Sequence, residues 1–109
     1  MNTVATTTAT PVNQAQVQEF VDFVQNLVNA YTTKMGFTRT RIYLHTMGSR
    51  YAKIARDCGQ VGVYGFIDLT NGDILMSATW KAPAKHARGS LHNKKSWTCA
   101  GPYGIAYLR

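Results

Sequence analysis

Val61-Gly62-Val63-Tyr64-Gly65-Phe66-Ile67-Asp68-Leu69-Thr70-Asn71-Gly72-Asp73-Ile74-Leu75-Met76-Ser77-Ala78-Thr79 decides the fold. Its two flanks are rich in β-branched, aromatic and other apolar residues, and they meet at Asn71-Gly72, a dipeptide in which both residues tolerate positive φ. The reading is a hairpin of strands over 61–68 and 74–79. Upstream the same pattern continues. Between Thr38 and Thr46, Ile42 and Leu44 alternate with Arg39, Arg41, Tyr43 and His45, which is the period of a half-buried strand with one cationic face. Gly48-Ser49 then turns the chain into a strand over 50–56 that carries Tyr51 and Lys53, and Asp57-Cys58-Gly59-Gln60 turns it again. The result is a four-stranded antiparallel meander with one apolar side.

That side needs a cover, and the preceding segment supplies one. Val17, Phe20, Val21, Val24, Leu27, Val28 and Tyr31 recur at helical spacing, with Gln14, Gln18, Asp22, Gln25, Asn26 and Asn29 elsewhere. Asn13 is placed to cap this helix with Gln16 at the capping-box position, Val12 to staple onto Val17, and Gly36 to close the C-terminus in a left-handed conformation. Phe23 lies off the stripe and either widens the buried face or meets a second chain. Before the helix, the Thr- and Ala-rich N-terminus has no periodicity, so residues 1–12 read as a disordered tail. A chain of 109 residues with 45% apolar content is one domain's worth, here 13–109. The expected architecture is α+β, an N-terminal amphipathic helix packed on a four- to five-stranded antiparallel sheet.

After Trp80 the reading changes to loop. Pro83 can open a single helical turn that Gly89 closes, which would bring Lys85 and Arg88 together at i, i+3. Residues 90–104 read as further loop with a short strand near Trp97, Gly101-Pro102-Tyr103-Gly104 as a type I turn, and 105–109 as an edge strand.

Charge supplies the functional argument. The formal net charge is +7 and the isoelectric point about 9.7. The charge is unevenly placed: residues 1–38 carry one base and two acids, residues 39–109 eleven bases and three acids, and no acid follows Asp73. A polyanionic partner fits this imbalance, with nucleic acid the leading candidate, DNA or RNA. Two surfaces could bind it. The first is the basic loop with Lys81, Lys85, Arg88, Lys94 and Lys95, whose cations would donate to phosphate oxygens. The second is the exposed strand face, where Arg39, Arg41, Tyr43 and His45, with Tyr51 and Lys53 opposite, alternate cations with rings as single-strand binders do. Trp80, ending a strand, reads as an anchor of its loop against the sheet edge. Trp97 stands among Lys94, Lys95 and Ser96 and reads as the better stacking candidate.

Other chemistry has little to rest on. Cys58 and Cys99 have no partner signature of a thiol enzyme, no closely spaced Cys or His pair suggests zinc, and no G-x-x-x-x-G-K or G-x-G-x-x-G is present. The expectation is a non-enzymatic protein without metal or cofactor, with reduced cysteines, and with neither a secretory leader nor a membrane span. Two further readings stay open: a factor that engages a host or virion protein as inhibitor or structural component, or with itself as a homo-oligomer, and a protein that sequesters a nucleotide signal against host defence.

Phe66-Ile67-Asp68, Asn71-Gly72-Asp73-Ile74, the stretch Ala78-Thr79-Trp80-Lys81-Ala82-Pro83-Ala84-Lys85-His86-Ala87-Arg88-Gly89 and the tail from Gly101 to Arg109 carry a likeness over residues 50–109. This part of the chain resembles a group of small bacteriophage and mobile-element proteins. The resemblance implies a viral accessory protein in the cytoplasm of an infected bacterial host, and it carries over no activity and no functional residue.

Overall fold

The computed structural model describes residues 11–36, 40–101 and 104–105. Helix α1, Gln14–Met35, begins where Asn13 accepts from the Gln16 backbone N–H at 3.0 Å while the Gln16 side chain accepts from the Asn13 N–H at 2.9 Å. This reciprocal cap satisfies two backbone donors that a helix start otherwise leaves open. The helix stops at Gly36, whose φ of 71° suits a residue without Cβ and whose N–H returns to the Thr32 and Thr33 carbonyls. Val12, assigned to the tail by its sequence, is already in the core at 8% exposure, and its N–H donates to the Leu69 carbonyl at 3.0 Å. Of the rest of the expected tail, Pro11 is exposed and residues 1–10 lie outside the described residues.

Five strands follow: β1 Arg41–Met47, β2 Tyr51–Asp57, β3 Val61–Asp68, β4 Asp73–Ser77 and β5 Pro83–Ser90. They pair antiparallel in the order β1-β2-β3-β4-β5. Val17, Phe20, Val21, Val24 and Val28 of α1 share one core with Ile42, Ala52, Ile54, Tyr64, Ile67 and Ile74 of the sheet, so the helix covers one face of it. The α+β architecture is therefore a single helix on a five-stranded antiparallel sheet. Gln25 orients the helix over the sheet edge: its Nε2 donates to the Thr40 carbonyl at 2.9 Å and its Oε1 accepts from the Ile42 N–H at 2.7 Å.

Two local expectations are corrected. At the Asn71-Gly72 turn both residues tolerate positive φ but only Gly72 adopts it, at 84°; among the described residues positive φ is confined to glycines. The loop is instead closed by Asp68, whose carbonyl accepts from the Gly72 N–H at 2.7 Å and whose Oδ1 accepts from the Thr70 N–H and hydroxyl at 3.0 and 2.6 Å. A carboxylate that local is a stronger organiser than the Asn-Gly pair.

The second correction is larger. Residues 83–90 form no helical turn and no loop; they are strand β5. Ala, Lys and Gly are poor strand formers, so local preference does not announce it. What decides is the open edge of β4, whose unpaired N–H and C=O groups β5 satisfies. Pro83 opens the strand, a position where its missing donor does no harm. Irregular register opposite Ile74–Leu75 and Leu75–Ser77 accommodates the rest, with Arg88 the extra residue between Ala87 and Gly89.

Beyond β5 the chain makes a 3₁₀ helix, Lys94–Cys99, in place of the expected short strand. It presses close on Gly89, where an added Cβ would lie 2.8 Å from the Ser96 carbonyl oxygen and 2.9 Å from its hydroxyl. Gly89→Ala is therefore expected to destabilise the fold by about 1–3 kcal/mol, the range for overpacking against backbone, measured as a lower urea midpoint. A midpoint equal to that of the unaltered chain would show that the 3₁₀ helix is free to move away. Pro102 and Tyr103 of the expected turn and residues 106–109 of the expected edge strand fall outside the described residues. Ile105 does bridge to Ala100 and donates its N–H to the Tyr64 carbonyl at 3.4 Å.

Candidate nucleic-acid interface

The sheet face away from α1 is built from the residues that alternate with the core. Cross-strand partners share a face, and the register sets Lys53 opposite Phe66 and Phe66 opposite Leu75, with Tyr43 opposite Ala55. At β1 the register skips His45, which makes it the extra residue of a bulge, and its ring is 6.2 Å from that of Tyr43.

The β4–β5 hairpin folds back over this face. β4 pairs with β3 only at Phe66–Leu75 and Ile67–Ile74. Further along, Ile105 takes the hydrogen bond of Tyr64, so the hairpin is released from the sheet plane. Its tip is braced internally: the Ala82 carbonyl accepts from the N–H groups of Ala78 and Thr79, and the Thr79 hydroxyl accepts from those of Lys81 and Ala82. Trp80, at the tip, places its ring centroid 4.1 Å from Lys53 Nζ on β2 and 5.2 Å from the His45 ring on β1. In a flat sheet β1 lies about 14 Å from β4, three strand spacings away, so these contacts require the tip to arch across the face.

The outcome is a continuous row of rings and cations. Arg41 lies over Tyr43 at 4.3 Å, Tyr43 adjoins His45, His45 adjoins Trp80, and Lys53 sits between Trp80 and Phe66, at 6.0 Å from the latter. Phe66 adjoins Tyr51 at 6.4 Å, and Arg50 lies over Tyr51 at 5.0 Å. Arg50 also pairs with Asp68 at 3.4 Å. With the Arg50 side chain 63% exposed this pair contributes little to stability and leaves most of the guanidinium to other partners.

The sequence-predicted residues divide between the two sides of the molecule. Arg41 and Tyr43 belong to the row, Lys81 stands exposed beside Trp80 on the hairpin tip, and Lys85 borders a groove on the same face. Arg88 does not join them. It is half-buried, with Nη2 3.7 Å from the Met76 sulfur. Lys94 pairs with Glu19 of α1 at 2.6 Å, and Lys95 is on the 3₁₀ helix beside it. Arg39 lies outside the described residues. Five cations adjacent in sequence thus do not make one clamp.

The two tryptophans exchange the roles their neighbours suggest. Trp97 is 5% exposed, meets Phe20 and Phe23 edge-on at 5.2 and 5.3 Å, and donates from Nε1 to the Ser90 carbonyl at 3.1 Å. Phe23 itself stays 37% exposed, resting against Trp97 at the rim of the core. Trp80 is 42% exposed. Sequence reading missed Trp80 and Arg50 as members of the open face, and Phe66, only 2% exposed, as the ring buried beneath the row. A signal for Trp80 was present in its setting between short, small-residue segments that suit a hairpin tip.

Burial pushes the Cys99 thiol up despite the opposing field of Arg88, which keeps it protonated and weakly nucleophilic at neutral pH. Burial likewise raises the Tyr64 hydroxyl, which donates to the Gly101 carbonyl at 2.6 Å. Among the described residues no three His, Cys, Asp or Glu side chains are grouped as a metal would need, and no helix is long and apolar enough to cross a membrane.

Residues 2–101 match the model of a family of unknown function, DUF7717. The chain belongs to this family. No curated protein and no solved structure matches it. The DUF7717 match takes in α1, all five strands and the 3₁₀ helix, and so every residue of the ring-and-cation row.

Proposed function

We propose that this protein acts by binding, without turnover, and that its ligand is single-stranded nucleic acid laid across the open face of the sheet. Bases stack on Trp80, Tyr43 and Tyr51, and phosphates are met by Arg41, Lys53 and Lys81. The observation that carries this reading is Trp80, held over Lys53 at 4.1 Å by a braced hairpin while 42% of it stays exposed. A chain with an apolar core one layer away leaves one of its two tryptophans partly in solvent, among cations, in a part of the sequence where no acid follows Asp73. Exposed aromatics interleaved with cations are how sequence-tolerant single-strand binders combine stacking with phosphate attraction. Duplex offers no free base faces to such a platform.

Fluorescence anisotropy of labelled single- and double-stranded oligonucleotides at several salt concentrations tests this. Three or four phosphate contacts on a single strand predict a log–log salt slope of roughly −2 to −3. The double variant Lys53→Ala, Lys81→Ala is expected to bind more weakly with a slope shallower by about one unit or more. Equal or better binding of duplex, or no binding near physiological salt, overturns the proposal.

A further inference from the structure

Beside the Trp80 row, the descending arm of the hairpin and the sheet floor enclose a groove of about 520 Å³, lined by Arg50, Tyr51, Asn71, Asp73, Leu75 and Lys85 among others. Its charge is unlike the rest of the face. Arg50 and Lys85 are balanced there by Asp68 and Asp73, so the groove is a poor place for a phosphate although the chain as a whole carries +7. A flat ring from Tyr51 and apolar surface from Leu75 and Pro83 suit a planar, partly apolar ligand.

The polar groups differ in availability. Asp68 is committed: Oδ1 accepts from Thr70 twice and Oδ2 from Arg50. Asn71 accepts from the Asp73 N–H at 2.9 Å through Oδ1, which leaves its amide N–H₂ without a partner among the described residues. The Asp73 carboxylate, half-buried, likewise has neither hydrogen bond nor ion pair among the described residues. The groove therefore presents an unengaged carboxylate, an unengaged amide donor and two cations around a flat wall.

We infer that this groove is a base subsite selective for guanine, an inference that rests on the single-strand reading above and specifies what its interface prefers. Guanine is the base that offers two adjacent donors, N1–H and N2–H₂, to match the two acceptor oxygens of a carboxylate. Its O6 and N7 accept from the Asn71 amide and from Arg50 or Lys85, and its ring stacks on Tyr51. Adenine and cytosine turn a ring-nitrogen lone pair toward the carboxylate, and uracil or thymine flank their single N–H with two carbonyl oxygens. Each of these leaves the Asp73 oxygens facing another acceptor, which disfavours the wrong base as much as the donors favour the right one.

The test uses short single-stranded oligonucleotides that differ only in one central base, titrated by anisotropy against the full chain and against Asp73→Asn. The guanine oligonucleotide is expected to bind roughly tenfold or more tightly than the other three, in line with a bidentate base contact. In Asp73→Asn that preference disappears, with a thermal melt matching the unaltered chain because no contact within the fold is lost. Guanosine monophosphate added as competitor separates two sources of the base. Displacement that adenosine monophosphate does not reproduce assigns the groove to free and strand-borne guanine alike, and absence of displacement with the strand preference intact restricts it to guanine within a strand. Tight binding without base preference overturns the subsite and leaves the interface standing. No binding of any oligonucleotide removes the interface, and guanosine monophosphate failing to bind as well then removes the subsite with it.

Discussion

Trp97→Ala is expected to lower the stability of the fold by about 3–5 kcal/mol, the range for emptying a buried large aromatic site. For a domain of this size that corresponds to a fall in Tm of roughly 12 °C or more. The indole joins three elements: it meets Phe20 and Phe23 of α1, belongs to the 3₁₀ helix, and donates to the Ser90 carbonyl at the end of β5. Removing it opens a cavity under the helix and takes away one of the donors to the Ser90 oxygen, which keeps the Ser96 hydroxyl and the Asn93 N–H, each at 3.1 Å. Thermal melting followed by circular dichroism checks this. A melt within one or two degrees of the unaltered chain would mean that the 3₁₀ helix is not an integral part of the core.

Trp80→Ala is expected to do the opposite. Single-strand affinity falls by roughly 10- to 100-fold, the loss of one base–aromatic stack, while stability changes by no more than about 0.5 kcal/mol. The ring touches Lys53 and His45, both on the open face, and takes no part in the core. Anisotropy and melting on the same preparation separate the two effects. Unchanged affinity would show that the exposed indole is not a stacking platform, and a large stability loss would show that the hairpin tip is held down for structural reasons. The pair of substitutions is diagnostic because composition treats both tryptophans alike while burial divides them.

Much of the architecture was legible because it follows from local periodicity. The apolar stripe from Val17 to Val28 calls for a helix with an apolar surface to cover, which the meander downstream offers, and Asn13, Gln16 and Gly36 mark its ends by chemistry that acts within four residues. The alternation of β1 and the turn-bounded runs of β2, β3 and β4 were legible for the same reason. Strand β5 was not, because Pro83-Ala84-Lys85-His86-Ala87-Arg88-Gly89 has neither alternation nor strand preference. Its state is set by an unpaired neighbour, and no local signal reports an unpaired neighbour.

The site divides along the same line. Arg41, Tyr43 and Lys53 were legible as residues of one exposed face, because strand period alone decides which way they point. The basic loop was not a site, since proximity in sequence does not survive a strand and a 3₁₀ helix: Lys81 and Lys85 went to one side, while Lys94 went to the helix side and paired with Glu19. Trp80 reached His45, thirty-five positions earlier, only because β4 leaves β3 after two register pairs and frees its hairpin to bend.

The sequence by itself determined the class of fold, the helix with its caps, the first four strands and a strong positive balance, because each depends on residues a few positions apart or on a sum over the chain. Tertiary structure alone decided which tryptophan is core and which is surface, that residues 83–90 pair as a strand, and which cations share a face with the rings. Those outcomes depend on which edge is left unpaired and on where a released hairpin can pack, and both are properties of the assembled sheet.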